Sequence, residues 1–253
     1  MNRHSSFQSL VLTTQKAGED NRIITLLSSE KGVFNAMLYG GPKSRLRAMV
    51  SPWHSGTIWI YCQEAKQSIK ITDFEPKEFR PSLRENIYKN MAASLATEIV
   101  IKTKAADESE KTWILLNGFL DGLELSDEQE CKKGLLRFLW RYIGVLGERP
   151  EINQCSSCAE SFFRSSNFQG AIFSFSENIF LCPNCIQKNN QNIFLNKEAM
   201  EYLWITSQES VSVARKAQLS LDSYGQLRQF LFQLINTSCG SKLKTFEAGI
   251  GIL

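Results

Sequence analysis

Apolar side chains in the first eighty residues come in short runs, separated by glycine, proline and charged positions. The runs are "FQSLVLTT" (7–14), "RIITLLS" (22–28), "GVFNAMLY" (32–39), "GTIWIYC" (56–62) and "QSIKITDF" (67–74). Short runs rich in β-branched and aromatic residues and bounded by turn formers predict strands. Five of them within this length predict a small closed barrel. Gly18-Glu19-Asp20 and Ser29-Glu30-Lys31-Gly32 supply the first two hairpin turns, with Gly32 free to take positive φ. An oligonucleotide-binding barrel has this size and strand count, and an SH3-like barrel gives nearly the same pattern, so periodicity does not separate them.

After Pro81 the period lengthens. Ser82 is a candidate cap for a helix over 83–102, a second helix is predicted over 109–123 and a third over 126–143. In the third, Leu135, Leu136, Leu139, Trp140 and Ile143 fall at helical spacing and read as core. Two later stretches, 196–207 and 223–238, predict further amphipathic helices. The expected fold class is α+β: a five-stranded barrel over 1–80, a helical domain built from 81–150 and 191–253, and a small ribbon at 151–190 inserted between its halves. Residues after Cys239 lack clear periodicity and are expected to be flexible or to dock late.

The ribbon carries the strongest local signal. Cys155, Cys158, Cys182 and Cys185 form two C-x2-C knuckles separated by 23 residues, a spacing that lets four thiolates converge on one tetrahedral Zn²⁺. Four thiolates close the coordination sphere, so the expected zinc is structural rather than catalytic. Iron–sulfur ligation and two independent thiol pairs are the competing readings. The other three cysteines, Cys62, Cys131 and Cys239, sit among apolar neighbours and are expected to be packed thiols.

Charge adds a location rather than a class. The whole chain has 29 basic and 26 acidic side chains, a net +3. Residues 1–79 hold ten Lys or Arg against seven Asp or Glu, so this segment alone accounts for the surplus. A nucleic-acid face is therefore sought at the amino end. There, "YGGPKSRLRAMVSPW" places Lys43, Ser44, Arg45 and Arg47 after a Gly-Gly-Pro turn. If extended, the stretch projects its three cations on one side, toward successive phosphates; the alternative is a solvated basic turn. Lys16, Arg22, Lys66 and Lys70 would extend that face. Trp53, Trp59 and Tyr61 are possible stacking platforms, with Trp59 expected in the core and Trp53 less committed. Arg137 and Arg141, one helical turn apart, form a possible second basic contact.

An enzyme finds little support. The two histidines, His4 and His54, make no Cys-His or metal-ligand spacing, and the Asp107/Glu108/Glu110 and Asp127/Glu128/Glu130 clusters lie near helix starts, where they complement helix dipoles. No stretch approaches the roughly 18 apolar residues of a membrane span. Four cysteines committed to a metal and an odd total fit a cytoplasmic protein.

In order along the chain, "AGEDNRIITLLSSEKGVFNAMLYG", the basic "GPKSRLR", "LLRFLWRYIGVLG" and "CSSC…CPNC" together resemble the RecO family of bacterial recombination mediators. The resemblance implies an amino-terminal oligonucleotide-binding fold and no nucleotide hydrolysis. It implies a protein that binds single- and double-stranded DNA, anneals complementary strands, and works with RecR. In many bacteria RecF joins them, and the complex helps load RecA onto DNA coated by single-strand binding protein. Gly18, Glu19, Asp20 and Arg22 match the family's early hairpin, with Asp20 fixing the turn. Lys43, Ser44, Arg45 and Arg47 match its basic loop and are the implied DNA contacts, extended by Lys16 and Arg22. The four cysteines match its zinc ligands, and the implied location is cytoplasmic, at the nucleoid. A zinc-stabilised interaction adaptor without direct DNA handling is the alternative.

Overall fold

The computed structural model describes residues 4–41, 44–63, 68–164, 167–186, 192–249 and 251–253. The chain divides into two compact units, Met1–Cys131 with Leu243–Leu253, and Lys132–Lys242.

In the first unit, β1 (His4–Ala17), β2 (Asn21–Ser28), β3 (Gly32–Leu38), β4 (Ser55–Gln63) and β5 (Ser68–Glu78) close in the order β1-β2-β3-β5-β4. β1 pairs antiparallel with both β2 and β4, and β3 meets β5 in parallel at Met37 and Lys70. The result is an oligonucleotide-binding-type barrel. The strand runs and both hairpin turns lie where the sequence predicts them, with Gly32 at φ +67. Alternation fills the interior: Val11, Ile24, Leu26, Ala36, Leu38, Ile58, Ile60, Ile71 and Phe74 form one buried cluster. Gly56 is needed at the β4–β5 register shift, because a Cβ there would collide with the backbone carbonyl of Glu75.

The stretch after Ser44 is not extended. Arg45–Met49 forms α1, whose Leu46 and Met49 pack against the barrel core together with buried Val50. Apolar residues at this spacing share one helical face. The helix expected over 83–102 is also broken in two, as α2 (Ser82–Glu85) and α3 (Ile87–Lys102). Asn86 leaves the helical region between them, and its side-chain oxygen accepts the Lys89 N–H at 3.0 Å, so the cap is Asn86 and not Ser82. The Ser82 hydroxyl instead donates to Glu124 at 2.6 Å, on α4 (Ser109–Leu125).

Arg80 joins barrel to helices within this unit. Only 4% exposed, it donates through Nε to Asp121 at 2.7 Å, through Nη1 to the Trp53 carbonyl at 2.7 Å and to Ser55 at 3.3 Å, and through Nη2 to Asn117 at 3.1 Å. Arg80 and Trp53 both have left-handed backbones, at φ +47 and +67. That conformation costs a residue with a Cβ about 1–2 kcal/mol, and here it is held by the bond between the two residues themselves.

The carboxy-terminal segment docks. Leu243 and Leu253 are buried, and α9 (Lys244–Ala248) presents its first N–H groups to Glu98 of α3. Glu98 accepts from the Lys244 and Thr245 N–H groups at 2.9 and 2.8 Å and from the Thr245 hydroxyl at 2.7 Å. Burial opposes ionisation of Glu98, but these donors and Lys102 outweigh it and lower its pKa. A lowered acid pKa means that the unfolded chain binds the proton more tightly. The contact is therefore fully stabilising above the ordinary carboxylate pKa and is lost as pH falls below it and through the lowered pKa of Glu98. Glu98→Ala is expected to cost about 1 kcal/mol locally, roughly fivefold faster amide exchange in 244–248 at neutral pH. Unchanged exchange there would show that the segment is held by its leucines alone.

α5 (Glu128–Val145) carries the chain into the second unit. This unit holds a three-stranded sheet, β6 (Gly170–Ser174), β7 (Ile179–Leu181) and β8 (Asn192–Asn196), in the order β7-β6-β8. Three further helices follow: α6 (Lys197–Gln208), α7 (Val211–Ala214) and α8 (Leu221–Ser238). Phe230 of α8 packs edge-on to Phe173 of β6, and Trp140 of α5 donates its indole N–H to the Leu203 carbonyl at 2.9 Å and to Ser207 at 2.7 Å. Among the described residues no helix is long and apolar enough to cross a membrane.

Candidate metal centre and nucleic-acid interface

The four knuckle cysteines converge. Their Sγ atoms all lie within 4.8 Å of one another, which excludes two independent thiol pairs. Backbone geometry explains how. Ala159, at φ +59, returns its N–H to the Cys155 carbonyl at 2.9 Å, and Cys185 does the same to Cys182 at 3.0 Å. Ser156 N–H donates to the Phe180 carbonyl at 3.0 Å, pinning the first knuckle to β7, which leads directly into the second.

The sulfurs are electrostatically unequal. Burial disfavours ionisation of Cys155, but N–H groups of Cys158, Cys182 and Ser157 and the Cys158 thiol outweigh it, bringing the pKa down to about 6. The Cys182 N–H lies 3.3 Å from that sulfur. Burial and the neighbouring thiols push Cys182 up to about 12. One thiolate is thus favoured by the fold alone, and a divalent cation would supply the charge that ionises the others. Four sulfurs at this spacing can coordinate one metal ion with no open position for substrate.

At the barrel, the structure brings some predicted residues together and separates others. Lys16 and Arg22 are direct cross-strand partners beside the Gly18–Asp20 turn, and Arg22 also pairs with Leu38 of β3. Oligonucleotide-binding folds use the β2–β3 face and the β1–β2 loop for their ligands, and two like charges placed opposite each other there favour an anionic neighbour. Lys70 faces Tyr61 across the β4–β5 ladder and lies 5.4 Å above the ring of Tyr39, which is 47% exposed. Tyr39 is absent from the sequence-based candidates; its place beside a Gly-Gly turn at a strand end is the signal that could have found it. His4 packs its ring 5.0 Å from Tyr61.

Lys43 and Lys66 lie outside the described residues. Ser44 is half-buried at the start of α1, makes no side-chain cap bond, and accepts the Arg47 N–H on its carbonyl at 3.1 Å. Because α1 is helical, Arg45 and Arg47, two positions apart, cannot share one side as an extended strand would allow. Arg45 is exposed, whereas Arg47 is half-buried. Behind α1, His54 Nδ1 sits 2.8 Å from the Met49 carbonyl and Nε2 3.3 Å from Arg84. The carbonyl can only accept, so Nδ1 carries the hydrogen and Nε2 accepts from Arg84. Burial chiefly, with the Arg84 and Arg80 charges and against the Met49 contact, lowers the His54 pKa and keeps the ring neutral.

Trp59 does not take its expected place in the core, and Trp53, less committed by the sequence, is the buried one. Trp53 is buried and bonded to Thr97 at 3.2 Å, while Trp59 is half-buried on the outer face of β4, between inward-facing Ile58 and Ile60. Arg137 and Arg141 form no second basic contact. Arg137 is buried and donates to the Tyr202 hydroxyl at 2.8 Å, and Arg141 donates to the Thr206 and Glu209 carbonyls at the end of α6. Cations are favoured there by the helix dipole.

Family models match both parts of the chain, "Recombination protein O N terminal" over residues 1–80 and "Recombination protein O C terminal" over residues 84–247. The chain belongs to the RecO family. Curated relatives agree along nearly the full length. "DNA repair protein RecO" of Bacillus pumilus (strain SAFR-032) is 27% identical over 241 residues, covering 94% of this chain and 90% of the relative. The Bacillus subtilis (strain 168) protein of the same name is 24% identical over 242 residues, covering 94% and 91%, and that of Exiguobacterium sibiricum is 26% identical over 249 residues, covering 94% and 93%. RecO membership makes this a DNA-repair protein of the recombination-mediator type and not an enzyme. In RecO terms, the barrel is the amino-terminal family region and the cysteine centre lies within the carboxy-terminal one.

Proposed function

We propose that this RecO-family chain binds single- and double-stranded DNA, anneals complementary strands, and, with RecR, helps load RecA onto DNA coated by single-strand binding protein; RecF is a further partner. The observation that carries the reading is the oligonucleotide-binding-type barrel itself, with Lys16 and Arg22 paired across its β1–β2 hairpin, beside the Glu19-Asp20 turn. Strand annealing needs no bond chemistry. It needs cations that hold two polyanions together, and such binding weakens as salt rises because condensed counterions are released. Arg22, Lys16, Lys43, Ser44, Arg45 and Arg47 are the proposed contacts, and the barrel over 1–80 is the proposed DNA-binding domain. In the same reading the helical segments 81–150 and 191–253 frame a ribbon over 151–190, the cysteine centre holds a structural Zn²⁺, and the protein works in the cytoplasm at the nucleoid.

The test is fluorescence-monitored annealing of two complementary single strands, without nucleotide, over a salt series. Acceleration that declines with salt supports the reading. No binding or acceleration at any salt would leave an adaptor that reaches DNA only through a partner. Replacing Lys16, Arg22 and Arg45 with Ala is expected to lower single-strand affinity and flatten the slope of log K against log salt by about 0.7 for each phosphate that is no longer neutralised. Anisotropy titrations showing the same affinity and slope would remove these residues from the interface.

A further inference from the structure

A cavity of about 640 Å³ opens on the barrel's outer face, where α1 meets β4 and β5. Its walls are of two kinds. Leu46 and Met49 of α1, Trp59 of β4 and Phe79, which is 51% exposed, are apolar. Asp73 and Glu75 of β5 add two exposed carboxylates on the outward row, and Asp73 is the direct cross-strand partner of Trp59.

Arg45 also lines the cavity, yet among the described residues neither carboxylate is ion-paired with it or with any other cation. Asp73 accepts the Phe74 N–H at 2.8 Å through one oxygen. The other oxygen, and both of Glu75, have no bond partner among the described residues.

Three kinds of occupant can be compared. A phosphate would meet two carboxylates against a single cation, Arg45, a net negative lining. An uncharged apolar side chain would fill the aromatic wall but strip water from the carboxylates without replacing it, which is costly. A cation on an apolar stem satisfies both walls. A guanidinium stacks on an indole face and donates two parallel bonds to carboxylates, and its methylenes can lie along Leu46 and Met49. Arginine is also among the residues most enriched in the energetic centres of protein interfaces.

We propose that this cavity is a docking pocket for an arginine side chain projecting from a protein partner. It lies on β4, β5 and α1 rather than at the β1–β2 hairpin. Arg45 lines it and is also a proposed DNA contact, but the carboxylates and apolar wall argued from here are not, and the proposal does not depend on DNA handling at the hairpin.

The test uses the full chain labelled with 5-fluorotryptophan and read by ¹⁹F NMR, with the Trp59 resonance assigned by Trp59→Phe. Acetyl-Ala-Arg-Ala-amide is titrated, then the same peptide with citrulline, which has the shape without the charge, and then a short single-stranded oligonucleotide. The arginine peptide is expected to shift the Trp59 resonance saturably, and citrulline to bind at least tenfold more weakly. The double variant Asp73→Asn, Glu75→Gln is expected to weaken the arginine peptide at least tenfold while leaving the buried Trp53 resonance in place. Equal response to both peptides, or none to either, overturns the proposal. A Trp59 shift with the oligonucleotide and not with the arginine peptide also overturns it, and makes the cavity a base-binding pocket.

Discussion

Arg80→Ala is expected to destabilise the first unit by about 3 kcal/mol. The guanidinium serves the Trp53 carbonyl, Ser55, Asn117 and Asp121 at once, and its removal leaves buried acceptors unpaired at roughly 1 kcal/mol or more each. The Asp121 contribution is the smallest, because its side chain is half exposed and water replaces the lost charge. Asp121→Asn should therefore cost about 1 kcal/mol or less. Comparing Arg80→Gly with Arg80→Ala isolates the left-handed backbone at this position, and Gly should be the less damaging by about 1 kcal/mol. Urea unfolding followed by circular dichroism reads all three. A loss below about 0.5 kcal/mol for Arg80→Ala would place it among ordinary surface substitutions and show that helices and barrel hold together without the guanidinium.

Loss of one knuckle cysteine should be more drastic for the second unit. Cys155→Ser removes the sulfur that the fold already favours as thiolate, and structural Zn²⁺ sites contribute on the order of 10 kcal/mol of apparent binding free energy. The expected result is loss of the bound metal by elemental analysis and rapid proteolysis within 151–186, with the barrel signal retained. Metal kept at one ion per chain would mean that the ligand set is wrong. Acid should act in the same direction. Cys182, at about 12, and Cys158, also raised, hold protons near neutrality, so metal uptake must release them. Each fall in pH therefore weakens binding, and a titration in a weakly buffered solution should show proton release on metal addition.

The strand pattern of the barrel and the convergence of the cysteines are legible in the sequence because each rests on local repetition. Alternation fixes which face of a strand is buried, and C-x2-C spacing fixes where two sulfurs point. The features that sequence does not reveal depend on distant partners. Trp59 alternates with Ile58 and Ile60 and so has to face outward; its size suggests the core, but parity decides otherwise. Trp53 is buried by a left-handed turn that brings it to Thr97, 44 residues away. Arg137 and Arg141 look like a surface pair because their acceptors lie on α6, 65 residues later. The basic loop's helix is legible in principle from Leu46, Met49 and Val50, but a run of five helical residues is too short for a periodic signal.

Residues 243–253 belong with the barrel unit while 132–242 form the other, so the first unit is discontinuous along the chain. During vectorial synthesis the second unit is fully translated before the first has received its last pieces, the buried Leu243 and Leu253 and the α9 amides that meet Glu98. Domains generally fold as units as they emerge from the ribosome. Here the contacts of α9 with Glu98 of α3 can form only after residues 132–242 have been made.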